Sequence, residues 1–516
     1  MRKASPGAIV ALICAPIFIG AVDLTVVSAV LPHVIYDLEI PLNTGLDEAA
    51  WIVSGYLLAY SAAMTFMGRL SDIHGRRRVY LIALAIFAAG SYLVAVADAW
   101  PTQLVLRGYS WFAGHGRLDR SDVILYTIIA SRMIQAFGAG AMVPVGMALV
   151  GDLYPPGKRA RILGFVAAVD TSGWVVGHLY GGILVRFFNW RMIFWLNLPL
   201  CALVFILLAI ALRETRPEES RTSMDWLGAV LISLSLAFFN IGLGAGSEAS
   251  SSLGDLQNIQ FPRHMVPAIL AACIVLVLFI LRESRTTSPL IRLDIFRRPN
   301  FAATSCANFL VGFSLFIAIA SVPLFINTLV AETLEQGAWD SGWMLSALTV
   351  PMAVASIPGG WLTDRTSYRF PSLLGLLMAM GGFLLMQLWN AGTPYSTMIP
   401  QLALTGVGFG LTIAPLAAAA LDTAPEAYRG TASGLVILFR LVGMTLGVSS
   451  ITTYGLQRTN LLSAQLTGPE TDVNEIVQLG MRIAETVISE TFLIACVLCA
   501  LTLIPVLLLK PLQERR

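Results

Sequence analysis

The sequence predicts an all-α membrane protein of fourteen transmembrane helices, arranged as two six-helix bundles with two linker helices between them. Three observations carry this. Only 12% of the 516 residues are charged and 56% are hydrophobic, whereas a soluble domain carries about 25% charged residues. Fourteen separate stretches are apolar and near the ~20 residues that cross a hydrocarbon core. A glycine-, aspartate- and arginine-bearing stretch at the end of the second span returns, degraded, at the end of the tenth.

The same arithmetic excludes other classes. Three or four soluble domains would need a charged surface that this chain lacks. Disorder does not fit such apolar content, and 6 cysteines in 516 residues do not make a disulfide scaffold. No Walker loop, nucleophile elbow or HExxH occurs, so the chain is not read as an enzyme, and no cofactor is expected beyond a proton gradient.

The first seven spans are Ala8–Leu31, Ala49–Arg69, Val79–Ala97, Ile124–Val150, Arg161–Leu184, Met192–Leu212 and Trp226–Ala245. The second seven are Met265–Leu281, Phe301–Val330, Gly342–Thr363, Ser372–Trp389, Met398–Leu421, Gly430–Tyr454 and Thr491–Leu509. The first has an apolar run longer than a signal-peptide h-region and reads as a retained helix. With the N-terminus inside, most of the 33 Lys and Arg fall in cytoplasmic connections, including Arg76-Arg77-Arg78 and Lys158-Arg159. That bias predicts a multi-pass plasma (inner) membrane protein with both termini cytoplasmic. The expected division is a bundle at 1–212, linker helices and connector at 213–300, and a second bundle at 301–516.

All six cysteines fall inside spans. Cys496 and Cys499 have CxxC spacing, but in an apolar helix without a second ligand pair they read as packing residues.

The repeated stretch is Gly68-Arg69-Leu70-Ser71-Asp72-Ile73-His74-Gly75-Arg76-Arg77-Arg78, with Gly359-Gly360-Trp361-Leu362-Thr363-Asp364-Arg365 as its echo. With spans 7 and 8 set aside, the copies sit at the second helix of each half, the pattern of a duplicated transporter with its site near the midplane. The first copy resembles the loop motif of the major facilitator superfamily. Gly20-Ala21-Val22-Asp23-Leu24-Thr25 with Leu31-Pro32 is similar to the first-helix signature of its fourteen-span drug:proton antiporters, the EmrB/QacA type. Arg132-Met133-Ile134-Gln135 through Gly138 and Gly140 resembles the fourth-helix motif, and Gly173, Gly177, Gly181 and Gly182 the antiporter motif of the fifth. Trp190-Arg191 through Phe194, Asn197 and Pro199 resembles the start of the sixth helix, and Pro289 through Arg297 the connector before span 9. His178 stands where that fifth-helix motif has proline, and Ile73 and Tyr80 also depart from the pattern. The resemblance covers nearly the whole chain and implies the major facilitator fold and proton-coupled antiport. It also implies that the Asp72 loop, with Gly68, Gly75, Arg76 and Arg77, latches the inner helix ends; the alternative for those basic residues is topology alone.

Charges inside a span cost at least about 2.5–3.5 kcal/mol each, so they are functional candidates. Asp23 lies eight residues from the outer end of span 1 and Arg132 eight from that of span 4, so both sit ~12 Å deep. Asp170 and Arg440 lie at a similar depth from the inner ends of spans 5 and 13, which predicts a pair bridging the halves. Asp23 is the expected proton carrier: a nearby Arg132 favours its carboxylate, and isolation in a low dielectric favours the neutral acid. Asp170 with Arg440 is a second proton site or a latch, and permanent structural pairing is the alternative for both pairs. His178 is a further coupling candidate because imidazole titrates near neutral pH.

Two outer segments are long. The 100–122 segment reads as an interfacial flap. The 457–490 segment either extends spans 13 and 14 or forms an interfacial helix. With Ile40-Pro41-Leu42-Asn43 and Trp51-Ile52-Val53, the outward extension is similar to the superfamily's mycobacterial lipid-exporting branch. The expected function is export of hydrophobic or amphipathic small molecules such as drugs. The alternatives are lipid or glycolipid export and, of another class, a non-transporting receptor or scaffold. Expected partners are the cargo, protons and the bilayer, with a monomeric chain and no nucleic acid.

Overall fold

A computed structural model describes residues 5–38, 46–112, 120–214, 224–244, 265–287, 289–466 and 473–510. Among these residues the regular structure is helical throughout. The helices are α1 (Pro6–Asp37), α2 (Leu46–His74), α3 (Arg76–Ala95), α4 (Trp100–Phe112), α5 (Arg120–Leu153), α6 (Arg159–Phe187), α7 (Arg191–Ala211), α8 (Trp226–Gly244) and α9 (Met265–Glu283). They continue as α10 (Pro299–Phe325), α11 (Leu334–Arg365), α12 (Arg369–Met386), α13 (Tyr395–Thr423), α14 (Arg429–Leu466) and α15 (Val473–Leu508). Thirteen are long and apolar enough to span a bilayer, and α8, with an apolar run of Trp226–Gly242, falls just short of that length. With α8 counted, the fourteen expected spans are accounted for.

Local chemistry starts and stops these helices. Ser5 caps α1, its hydroxyl accepting from the Ala8 amide at 3.3 Å with Pro6 at the first helical position. Thr333 does the same for α11 through the Gln336 amide at 3.2 Å. Gly75, at φ 99°, makes the turn between α2 and α3 in a conformation that side-chain-bearing residues rarely adopt.

α1–α3 and α5–α7 pack on one another, as do α10–α15, while α8 and α9 pair together. The halves meet through α2 against α14 and α6 against α11. α5 and α13 are the most deeply buried spans, which fits their runs of Gly and Ala. α9 is covered on few of its residues and turns Val266, Leu270, Ile274 and Val277 outward. On α11 the exposed Trp339 and Trp343 at one end and Trp361 at the other bracket exposed Val350 and Val354. Trp343 and Trp361 are eighteen residues apart, or ~27 Å along a helix, close to the ~30 Å of bilayer hydrocarbon between two tryptophan belts.

The long segments resolve into helix. α4 fills the start of the 100–122 segment, with Trp100 and Leu104 exposed and Thr102 buried against the Ala97 carbonyl at 2.6 Å. Among its described residues the 457–490 segment extends the spans rather than forming a separate interfacial helix: α14 runs 38 residues, ~57 Å, and α15 begins at Val473. Arg458 and Tyr454 of α14 both hold Glu490 of α15, at 2.8 and 2.6 Å, which ties the two extensions together. Ile40-Pro41-Leu42-Asn43 lies outside the described residues.

Candidate functional site

Five helices of the N-terminal half converge on Asp23. Its Oδ2 receives Arg132 Nη1 at 2.6 Å, and its Oδ1 receives Gln135 Nε2 at 2.8 Å and Asn197 Nδ2 at 3.3 Å. Arg132 also donates to Gln135 Oε1 at 2.6 Å, which fixes the amide's orientation. Asn197 donates to Ser91 Oγ at 3.2 Å, and Ser91 donates to the Phe194 carbonyl at 3.1 Å. Beneath the pair, the Arg132 guanidinium lies 4.0 Å from the centroid of the Tyr56 ring. Asp23 and Arg132 are each 1% exposed. In this conformation the expected pair is therefore a sealed, hydrogen-bonded site.

Asp170 and Arg440 have a different setting. Both are half-buried and line a cavity of ≈ 40 Å³ between the halves. Most of the lining is apolar, including Val143, Met147, Leu163, Leu315, Met352 and Ile413. The polar lining adds Thr171, Trp174 and Asn308. The two charges interact electrostatically across this space. No hydrogen bond or ion pair within 4.0 Å joins them among the described residues. Depth matching thus brought the right residues to one cavity, but as a separated pair.

Asp72 has partners on both sides of the boundary between the halves. Asp72 approaches Arg76 only to 3.5 Å. Its principal partners are the first turn of α14, across the boundary between halves: the Gly430 amide at 2.9 Å, the Thr431 amide at 2.9 Å and the Thr431 hydroxyl at 3.0 Å. A carboxylate at a helix N-terminus satisfies otherwise orphan amides and meets the positive end of the dipole. Gly68 permits the approach, since a Cβ there would lie 2.5 Å from the Gly430 carbonyl oxygen. Arg76 pairs with Asp152 at 2.9 Å as well as with Asp72, and Asp152 also holds Arg429 at 3.0 Å. Arg77 is no part of this crossing: it donates to the Ala209 carbonyl at the end of α7, at 2.6 Å.

The degraded echo builds a second latch of the same design. Asp364 of α11 accepts from the Ala160 and Arg161 amides, at 3.2 and 3.0 Å, in the first turn of α6. Arg159 is ion-paired with Asp422, as Arg429 is with Asp152, and Tyr368 donates to Asp422 at 2.6 Å. Each half thus caps one helix of the other. At the opposite end, the pairs Asp37–Arg191, Asp340–Tyr395 and Glu490–Arg458 each stay within one half. Among the described residues, hydrogen bonds and ion pairs join the halves only toward the latch end, so this conformation is closed there.

The helix-motif glycines bring α6 onto α1. Added Cβ atoms at Gly173 and Gly177 would meet the Phe18 and Val22 carbonyls at 3.0 and 2.6 Å. Gly443 and Gly447 do the same for α14 on α10. Gln135 is part of the Asp23 site, and Gly138 and Gly181 are buried. The surroundings of His178 and Gly182 on α6 lie outside the described residues. In the sequence Asn197 stands only in a helix-start motif, and Ser91 and Tyr56 carry no motif at all. An amide within an apolar span was the available signal for Asn197.

Residues 13–448 match the Major Facilitator Superfamily. A triacylglyceride transporter of Mycolicibacterium hassiacum is 31% identical over 89% of this chain and 81% of its own length. One from Mycobacterium tuberculosis is 30% identical over 96% of this chain and 93% of its own. Among solved structures, the human organic anion transporter MFSD10 superposes with TM-score 0.61 at 15% identity, covering 96% of this chain and 100% of that one. The proton:xylose symporter XylE does so with TM-score 0.61 at 13% identity, covering 96% and 95%. The motifs on their expected helices and the two-half architecture agree with these matches: the chain is a membrane transporter belonging to the Major Facilitator Superfamily.

Proposed function

We propose that this transporter exports a neutral lipid of the triacylglyceride class from the cytoplasmic side of the plasma (inner) membrane, in exchange for protons. The observation that carries the cargo class is likeness along nearly the full chain to proteins named triacylglyceride transporters. It favours the lipid over the drug cargo that the motifs alone suggested. The cavity agrees in chemistry, with a mostly apolar wall and one opposed charge pair, so its lining carries no net charge that would call for a charged cargo. At ≈ 40 Å³ it holds no whole lipid in this conformation. In this reading the ester-bearing centre enters sideways from the bilayer while the acyl chains stay among the helices and lipid.

We take the basic latch end as cytoplasmic, with both termini there and a single chain as the working unit. The bundles 1–212 and 301–516 rock about the cavity, tethered by 213–300. The structure then corresponds to the outward-facing state, with both aspartate latches shut. Asp170 is the better-placed proton acceptor here, because it faces the cavity whereas Asp23 is sealed by three donors. Protonation of Asp170 frees Arg440 to donate to an ester carbonyl, and loss of the proton returns Arg440 to the carboxylate.

Reconstitution tests this. Proteoliposomes with an imposed pH gradient are assayed for movement of a fluorescent triacylglycerol and, separately, of a cationic dye. Gradient-dependent lipid movement without dye movement is the expected result. Dye movement alone would return the cargo to the drug class, and movement of neither would remove the transport reading as stated.

A further inference from the structure

The linker helices carry a further buried cluster of charge, away from the cavity. Asp225 opens α8, its Oδ1 accepting from the Gly228 amide at 3.0 Å. Arg282, near the end of α9, donates to both of its oxygens, at 3.2 and 3.4 Å. The next residue, Glu283, is only 4% exposed, and its Oε2 accepts from the Ile291 amide of the connector at 3.1 Å. Its Oε1 is buried and has no hydrogen-bond partner among the described residues. That oxygen is aimed at Asp225. A Cβ built on Gly228 would lie 2.5 Å from Glu283 Oε1 and 3.1 Å from Asp225 Oδ2. The two carboxyl groups therefore converge over a residue with no side chain to keep them apart.

Two carboxylates and one guanidinium would leave a buried negative charge unbalanced, which is a costly state. The charged groups of the surrounding elements are engaged elsewhere. On α2, Arg69 stacks on Tyr428 and Asp72 caps α14. On α14, Arg429 holds Asp152 and Arg440 lines the cavity. At the end of α13, Asp422 is paired with Arg159. In the connector Arg292 pairs with Asp294, and Arg298 donates to the Thr423 carbonyl. His74, Arg285 and Arg297 are exposed. The missing positive charge has to come from something small enough to enter between the two carboxyl groups.

We propose that Glu283 holds a proton on Oε1 and donates it to Asp225, forming an acid–carboxylate clasp that fastens the connector to the linker helices and opens as pH rises. The proton supplies the missing charge and turns an orphan acceptor into a donor. Two carboxyl groups at one site favour keeping one proton between them. When it leaves, repulsion from Asp225 drives Glu283 toward water, and the Ile291 amide loses its acceptor. The freed segment is one that reaches the latch. Leu290 and Ile291 are buried, and they lead into Arg292, whose guanidinium lies 5.4 Å from the centroid of the Tyr428 ring. Arg69 of α2 lies 4.3 Å from the same ring, which belongs to the turn just before α14. The clasp thus holds the connector where it meets both halves, and this inference needs no assumption about the cargo.

Infrared titration of the purified full chain in lipid nanodiscs tests for the proton. A protonated-carboxyl band that Glu283→Gln removes is expected at about pH 6, where an ordinary glutamate is ionised. Asp225→Asn takes away the like charge and moves the loss of this band to lower pH, by about one unit or more. Arg282→Gln moves it to higher pH. A glutamate that only packs would not give these opposed shifts. Glu283→Gln keeps an acceptor for Ile291 and a donor for Asp225, so it folds and mimics the closed clasp. Hydrogen exchange across residues 289–298 reads the release. Above the midpoint of the band, wild type exchanges about tenfold faster than E283Q at the same pH, and below it the two agree. The absence of any band that Glu283→Gln removes overturns the proposal, as does equal exchange in the two proteins up to about pH 9. A band that appears only when choline chloride replaces sodium or magnesium chloride would assign the charge to a metal ion and overturn the proton clasp.

Discussion

Asp170 and Arg440 each stand eleven residues past the arginine that opens their helix, Arg159 for α6 and Arg429 for α14, and both line the cavity between the halves. The duplicated fold has put opposite charges at one register of two equivalent helices. Neutralising either leaves the other half-buried with no counter-charge in the cavity lining. Asp170→Asn is expected to remove the dependence of lipid flux on a pH gradient while downhill movement persists. Flux compared with and without the gradient decides this, and an undiminished gradient response would take Asp170 out of the coupling.

The Asp23 site responds to substitution in a graded way. Arg132→Ala leaves a carboxylate 1% exposed with only amide donors, and is expected to cost about 3–5 kcal/mol. Asp23→Asn keeps an acceptor oxygen for Arg132, so it folds, with a smaller loss in Tm, and abolishes gradient-driven flux. Equal melting temperatures for Arg132→Ala and wild type would contradict the sealed geometry.

The paired latches predict an additive opening. Asp72→Ala deletes three bonds to the start of α14, and Asp364→Ala deletes two to the start of α6. Each charge-assisted bond contributes about 1.5–3 kcal/mol, so either substitution shifts the closed-to-open ratio at least about tenfold. Spin labels at the exposed His74 and Glu426 report this as a longer-distance population. The double variant exceeds each single one, and unchanged distances in all three would show that the latches do not hold the halves.

At the opposite end, Asp37 supplies a pH dependence. Burial raises its carboxyl pKa, but hydrogen bonds from Arg191 and Trp190 outweigh that and hold it below the ordinary value. A depressed carboxylate contributes stability that is present above its unfolded value, ~3.9, and is lost as pH falls through the folded one. Its partial exposure limits the contribution to about 1 kcal/mol or less. Melting curves of wild type and Asp37→Asn are expected to differ near neutral pH, to begin approaching one another near about pH 4 and to converge only below the depressed folded value.

Legibility differed between the pieces. The Asp23–Arg132 pair was readable because unpaired charge cannot stay in hydrocarbon and helical rise turns residue number into depth. The latch partners were not, because Gly430, Thr431, Ala160 and Arg161 contribute backbone amides, which any residue carries. Arg76 is a partner of Asp72, at 3.5 Å, but the three shorter bonds come from a helix N-terminus of the other half.

The sequence by itself determined the membrane location, the number of spans and the superfamily. Each follows from summed local properties: apolar length, the bias of basic residues, and motifs confined to one helix or turn. Only the tertiary structure decided that Asp23 is sealed while Asp170 faces a cavity, and that both copies of the loop motif cap helices of the opposite half. Those distinctions depend on the rigid-body relation between two halves, and burial, separation and hydrogen bonding across that boundary arise from chain segments hundreds of residues apart.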